Sequence, residues 1–313
     1  MWGIDVSHHQ GTINFRAVKQ YGIQYVIMKA MYEKSHSLDE RFEYNYAQAG
    51  TYGLERGVYL YMLASDIASA DREANDMLRI LHGRKLERGV WLDVEDPRIK
   101  GLSKQQLSDI IYREADILQS GGYNVGIYTN LDWYKNVVDG NELSKKFKWW
   151  MARYPKNDDG SLRIVLQPDK KIAMWQYSSK GIVDGIKGPV DMDYDMADLN
   201  KDNITLAKEI LAGKWGNGQI RMNRLEAAGY VFSEVQRCVT ELDHARKYYP
   251  KHNGPSFKLD TILEEIGVPS KYIGNKDKRL PIARANGIVD YHGSLTQNLR
   301  LIALAKAGEL KRV

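Results

Sequence analysis

Residues 90–97 read Val90-Trp91-Leu92-Asp93-Val94-Glu95-Asp96-Pro97, an apolar run of strand-forming residues stopped by acids and a proline. On an extended strand successive side chains alternate between faces, so Asp93 and Glu95 share one face with Cα atoms roughly 6.6 Å apart at about 3.3 Å per residue. Apolar runs of similar length recur at 2–6, 25–29, 58–61, 125–128, 149–152, 172–177 and 190–194. Between several of them, residues 15–21, 68–81 and 103–119 carry apolar positions at three- and four-residue spacing, the pattern of amphipathic crossover helices. This rhythm predicts an α/β chain built on parallel strands, and a β/α barrel accommodates it better than a sandwich.

The length of 313 residues suits about two domains, each large enough to bury a core. A hydrophobic fraction of 43%, a charged fraction of 27%, 20 Tyr and 7 Trp describe an ordinary globular composition. Mean hydropathy is -0.50, and no run reaches the roughly 20 apolar residues of a membrane span. The opening residues Met1 to Asp5 lack the basic start and apolar core of a signal peptide and read as the first strand. Cys238 is the single cysteine, which excludes an intrachain disulfide and any cysteine-rich zinc site and suits a reducing compartment. Residues 201–313 hold 19 Lys+Arg against 12 Asp+Glu, a net of +7, which leaves -2 for residues 1–200. A mildly acidic front joined to a basic back suits a catalytic unit followed by something that seeks an anionic surface.

The strand rhythm stops around Asp198, Leu199, Asn200 and Lys201, where we place a boundary, and helical periodicity follows at 204–211 and 221–228. A second break is expected near 248–255, where prolines, glycine and basic residues cluster, with helices beyond it at 259–266 and 299–307. The expected organisation is 1–200, 202–245 and 250–313.

Asp93 and Glu95 are the sharpest chemical feature. Two carboxyls this close cannot both ionise freely, so one is held protonated as a general acid while the other stays charged, the arrangement of glycosidases. The plainer reading is a turn acid beside a helix cap at Asp96-Pro97. Asp5 ends the first strand, and Asp191 is read at the end of the last. If the barrel closes, these two are neighbours. Asp193 and Asp195 read as solvated loop acids. Hydrogen bonding and packing account for His8 and His9 better than a metal, because adjacent residues point apart and the spaced His pairs of zinc motifs are lacking. There is no Gly-x-Ser-x-Gly elbow and no phosphate-cradling glycine loop. No metal and no cofactor is expected. Tyr59, Tyr61, Tyr128, Trp149, Trp150, Trp175 and Tyr177 fall at strand ends, where those on the open side have faces suited to sugar rings and the rest belong to the core.

Taken together, Asp5-Val-Ser-His-His-Gln-Gly11, Gln24-Tyr-Val-Ile-Met-Lys-Ala30, Trp91-Leu-Asp-Val-Glu95, Gly126-Ile-Tyr-Thr-Asn130, Met174-Trp-Gln-Tyr177 and Val190-Asp-Met-Asp-Tyr194 make residues 1–200 resemble a glycoside hydrolase family 25 muramidase, the lysozyme type of many phage endolysins. The resemblance implies a modified, TIM-like β/α barrel. It also implies hydrolysis of peptidoglycan at the β-1,4 bond between N-acetylmuramic acid and N-acetylglucosamine. Asp5, Asp93, Glu95 and Asp191 match the family's acidic quartet, with Glu95 as general acid and Asp93 stabilising an oxocarbenium-like transition state or orienting the substrate N-acetyl group. Retention by substrate assistance is compatible with this set. Tyr59, Tyr61, Tyr128, Trp150, Trp175 and Gln176 are taken as substrate-binding. The family's Lys-Ala-Thr-Glu-Gly run is replaced by Lys29-Ala-Met-Tyr-Glu33-Lys34 and its Tyr-His-Phe by Tyr59-Leu60-Tyr61-Met62, departures that bear on sugar subsites rather than on the reaction.

Residues 207–242 resemble one copy of the Cpl-7 type cell-wall-binding repeat, a three-helix module. Trp215, Gly218, Arg221 and Arg224 are its candidate wall contacts, the two arginines lying one turn apart on one helix face. Residues 250–313 are read as a further helical module, wall-binding or oligomerising. The partner implied is bacterial peptidoglycan, with a holin-type partner for release from the host cytoplasm, and neither nucleic acid nor membrane. The competing reading is a non-catalytic peptidoglycan-binding protein that keeps the barrel groove.

Overall fold

The structure is a computed structural model that describes the whole chain except residues 170–171 and 199–200. The expected boundary at 198–201 therefore falls partly outside the described residues. The strands are β1 (Trp2–Val6), β2 (Tyr25–Lys29), β3 (Glu55–Tyr61), β4 (Val90–Asp93), β5 (Val125–Asn130), β6 (Lys148–Ala152), β7 (Met174–Gly181) and β8 (Val190–Asp195). They close in sequence order into one barrel. Helices Phe15–Tyr21, Ile67–Leu81 and Lys104–Ser120 cross over between strands as their periodicity predicts, and Phe42–Thr51 is a further one.

The parallel rhythm fails at the last strand. β8 runs antiparallel to both β7 and β1. Only residues 182–189 separate β7 from β8, and a parallel return needs a crossover of a dozen residues or more. Gly185 and Gly188, with φ of 97° and 89°, take the left-handed conformations of this short return. Because β8 is reversed, Asp191 lies near its beginning rather than its end, and the strand descends from there into the barrel.

Alternate residues fill the interior. Tyr25, Ile27, Trp91, Trp150 and Met174 make one buried cluster there. Two strand glycines admit its large rings: a Cβ on Gly3 would lie 2.1 Å from the Tyr25 ring, and one on Gly126 would lie 2.4 Å from that of Trp91. At the foot of the barrel Arg88 bridges Asp195 at 2.6 Å and Glu55 at 2.7 Å and lies over the Tyr25 ring. Asp195 is thus a buried ion-pair partner and not the solvated loop acid expected.

Outside the barrel, Glu114 on helix Lys104–Ser120 is fully buried against Glu73 on helix Ile67–Leu81, and neither of its carboxyl oxygens is met by an amide, hydroxyl or cation among the described residues. Glu73 in turn accepts the Leu63 backbone N–H. Burial, followed by the neighbouring Glu73 charge, pushes the Glu114 carboxyl well above the ordinary range, so it keeps a proton with which to donate.

The chain groups into two compact units, Met1–Asp202 with Ala212–Phe232, and Asn203–Leu211 with Ser233–Val313. Helices Asn203–Leu211, Gly218–Ala227 and Phe232–Lys247 occupy the stretch where three were expected. In the first unit the Trp215 indole packs edge-on against Trp2 and Tyr230. Trp215 has a φ of 73°, a conformation a bulky residue adopts only where its surroundings impose it. Arg224 lies over the rings of Trp2 and Tyr21 in the space left by the missing Cβ of Gly22. The second unit has its own core, in which Tyr249, Ile262, Leu263, Ile282, Leu301 and Leu310 meet. The linker-like segment near 248–255 is tied into it by Tyr249, whose N–H donates to the Leu310 carbonyl at 2.8 Å.

The buried Glu73–Glu114 pair makes stability fall with alkalinity. A folded-state pKa above the unfolded one contributes stability that is complete below the unfolded pKa and is lost as pH rises through the folded value. Glu114→Gln keeps a donor toward Glu73 and removes the titration. Its melting temperature should exceed the parent's at around pH 9 and converge with it at around pH 4, as thermal unfolding followed by circular dichroism would read.

Candidate active site

The upper ends of the strands enclose a cleft of about 320 Å³ lined by acids and aromatic rings. Period-two alternation places them there. Asp5 follows Gly3 on the inner face of β1, Tyr59 and Tyr61 end β3, Asp93 ends β4, and Tyr128, Trp150 and Gln176 project from β5, β6 and β7. Cross-strand pairing sets Asp5 against Asp191, Tyr61 against Asp93, and Asp93 against Tyr128. Asp5, Asp93, Glu95 and Asp191, distant in the chain, therefore line one cleft.

Among the described residues, few cations face these acids. Asp5 is 8% exposed, and burial first and then the charges of Asp191 and Asp193 push its carboxyl well above the usual range. Its main donor is Gln176, whose Nε2 lies 2.7 Å from Asp5 Oδ2. Gln176 is held in that orientation because the hydroxyls of Tyr128, at 2.7 Å, and Tyr154 both donate to its Oε1. Asp93 is raised by burial and then by Glu95, with Lys29 pulling it down, and its Oδ1 meets no donor among the described residues. Glu95 lies just past the end of β4. It is raised by burial and opposed by Asn130, whose Nδ2 stands 3.5 Å from Oε2. Asp191 is pushed up to about 6, by burial first and Asp158 second. Asp96 is the contrast: Arg98 clamps it with two 2.7 Å hydrogen bonds and holds its carboxyl down at about 2.

This arrangement strengthens the hold of Glu95 on its proton beside a second carboxyl at Asp93, which is what acid catalysis at an ether-type oxygen needs. Tyr59, Tyr61, Tyr128, Trp150 and Gln176 line the same cleft. Trp175 does not. It has the opposite parity on β7, is fully buried on the outer face and donates from Nε1 to the Arg153 carbonyl at 2.9 Å. Trp215 and Arg224 are buried at 2% and 6% exposure, so they serve packing and present nothing to a ligand. Arg221 folds back on its own turn, with Nε 3.1 Å from the Gly216 carbonyl, and Gly218 opens helix Gly218–Ala227.

Lys29, Tyr154 and His9 also line the cleft, and none of them is among the substrate-binding residues expected from the sequence. Lys29 continues the inward series of Tyr25 and Ile27, a signal that alternation contains. His8 Nδ1 donates to Asp39 Oδ2 at 2.7 Å, and its ring packs at a tilt against that of His9, in keeping with hydrogen bonding and packing for the pair. Asp193, expected in solvent, is fully buried, and Trp150 Nε1 donates to its Oδ1 at 2.8 Å.

Because Asp158 is the charge that most raises Asp191 after burial, Asp158→Asn should lower the Asp191 midpoint from about 6 by up to about one unit. Carbon-13 NMR titration of the side-chain carboxyls reads it. An unmoved midpoint would remove Asp158 from the electrostatics of the cleft.

Comparison with known proteins adds family-level matches. The model for glycosyl hydrolases family 25 matches residues 4–186, and that for the CW_7 repeat matches 205–242. An autolytic lysozyme of Clostridium acetobutylicum is 32% identical over 195 residues, covering 62% of this chain and 55% of its own. Lysozyme M1 of Streptomyces globisporus is 32% identical over 198 residues, covering 60% and 65%. The crystal structure of the bacterial lysozyme from Streptomyces coelicolor aligns with a TM-score of 0.51 at 27% identity, covering 62% of this chain and 91% of that one. The chain thus spans less than two thirds of the length of the two curated relatives.

Proposed function

The chain belongs to glycosyl hydrolases family 25, and from that membership we propose that it hydrolyses the glycan strands of peptidoglycan at the β-1,4 bond between N-acetylmuramic acid and N-acetylglucosamine. The observation that carries the reading is the convergence of Asp5, Asp93, Glu95 and Asp191 on one aromatic-walled cleft at the C-terminal ends of the parallel strands. The relatives named as lysozymes support the same reaction class.

Glu95 is the general acid. Its proton passes to the glycosidic oxygen as the bond from that oxygen to the anomeric carbon breaks. Water then adds to the anomeric carbon and returns a proton to the Glu95 carboxylate. Burial holds the proton on Glu95 above the ordinary carboxyl range, and Asn130 is the side chain opposing it. Asp93, two residues earlier and pulled toward ionisation by Lys29, faces the positive charge that develops on the sugar ring. The rings of Tyr59, Tyr61 and Trp150 offer faces to the glycan.

The basic segment from 203 onward, with its repeat match, tethers the enzyme to the wall and raises its local concentration there. Trp215 and Arg224 are engaged in packing, so other side chains of that segment make the contact.

Glu95→Gln should leave the fold and wall binding intact while turnover falls by about 10²- to 10⁴-fold. Mass spectrometry of fragments released from purified peptidoglycan should find N-acetylmuramic acid at the new reducing ends. Normal clearing by Glu95→Gln, or another sugar at those ends, overturns the assignment. Removing residues 203–313 should reduce retention on purified walls more than cleavage of short soluble fragments. Thermal unfolding run alongside separates lost tethering from the effect of uncovering Trp2 and Tyr21.

A further inference from the structure

Asp193 is an acid that the four-carboxylate scheme does not use. On β8 it sits one inward position below Asp191, and it pairs across the sheet with Gly3 on one side and Gln176 on the other. Its Oδ1 accepts from Trp150 Nε1 at 2.8 Å. Its Oδ2 is met by no amide, hydroxyl or cation among the described residues, and the register that sets Asp193 opposite Gly3 and Asp5 opposite Asp191 brings the two buried inward carboxyls side by side. Two carboxylates cannot hydrogen-bond to each other without a proton between them, and two unscreened negative charges in contact in a buried site are not stable.

We propose that Asp193 is a positioning residue for the reaction, sharing one proton with Asp5 and thereby fixing both the charge and the aim of the Asp5 carboxyl. Asp5 is then held from two sides, by Gln176 Nε2 at Oδ2 and by the shared proton. The pair carries one negative charge instead of two, which spares the cleft a further like charge beside Asp93 and Asp191. Trp150 holds Asp193 from below while its ring walls the cleft, so one indole serves both.

The groups facing the pair from neighbouring elements are Tyr25 on β2, Tyr59 on β3, Arg88 before β4, Asp93 on β4, Tyr128 on β5, Tyr154 after β6, Tyr177 on β7 and Asp191 on β8. Burial raises the five tyrosines, which stay neutral, and Arg88 stays charged. As pH rises, the charges that change around the pair are therefore those of the raised carboxyls Asp5, Asp191 and Asp93. Raising the pH removes the shared proton and sets two carboxylates in contact.

The proposal rests on the place of Asp5 in the catalytic cleft, and its test has an arm independent of catalysis. Infrared difference spectra of the full chain at neutral pH should show a protonated-carboxyl C=O band that disappears in Asp193→Asn and, reciprocally, in Asp5→Asn. In wall-clearing assays Asp193→Ala should lower kcat by about tenfold, since it orphans the Trp150 N–H and releases Asp5. Asp193→Asn can still accept from Trp150 and donate to Asp5. It should recover most of that loss and extend the alkaline limb of the pH profile, because its donor does not titrate. A band unchanged in both Asn variants, or a pH profile in Asp193→Asn that overlays the parent's, overturns the proposal. Failure of the Glu95→Gln result would overturn the assigned reaction instead and would leave the infrared outcome for Asp193 standing.

Discussion

A closed barrel gives its inward side chains one narrow, dry interior, and in this protein the upper part of that interior is filled with carboxyls that have almost no cations to pair with among the described residues. Everything notable about the cleft follows from that shortage. A buried carboxylate without a cation must either be donated to by neutral groups or keep its proton. Neutral donors come from Gln176 toward Asp5, Trp150 toward Asp193 and Asn130 toward Glu95. The arginines lie elsewhere: Arg88 is engaged at the foot of the barrel with Asp195 and Glu55, and Arg98 with Asp96.

The result is a graded set of proton affinities in the cleft and immediately beside it. Asp96, gripped by Arg98, is held at about 2, while Asp191 sits at about 6, and Glu95, Asp93 and Asp5 are raised chiefly by burial. Acid catalysis near neutrality needs one group that still holds a proton and another that does not, and such a spread supplies both from a single residue type. The aromatic walls contribute to the same end, because they exclude the water that would level these differences.

Much of this was legible in the sequence because strand parity is a strong code. The run ending at Asp93 and the strand starting at Trp2 predicted which acids would face inward, and the family likeness of residues 1–200 gave the barrel its closure. The misreadings have local causes. β8 looked parallel because 172–177 and 190–194 match the other strands in composition. What reverses it is the length of the return, a quantity that depends on where β7 stops, at Gly181. Asp193 shares the parity of Asp191, but three acids in five residues resemble a solvated loop. Only the known direction of β8 turns that series into a descent toward the core. Trp175 was grouped with its neighbours by position near a strand end, although parity alone assigns it to the outer face. Trp215 and Arg224 could not be placed from their own helix pattern, since what buries them is Trp2 and Tyr21, roughly two hundred residues earlier.

The reversal of β8 also decides where the chain departs. A barrel whose last strand ran upward would release its continuation at the rim, among the acids, and a bulky polymer approaching them would have to get past it. Here the descending strand delivers the polypeptide to the far end, beside Met1 and Arg88. The segment 212–232 then settles against Trp2 and Tyr21 on the underside. The mouth is therefore left clear of residues 212–232, and a long, stiff strand of sugars lying across it does not meet that stretch.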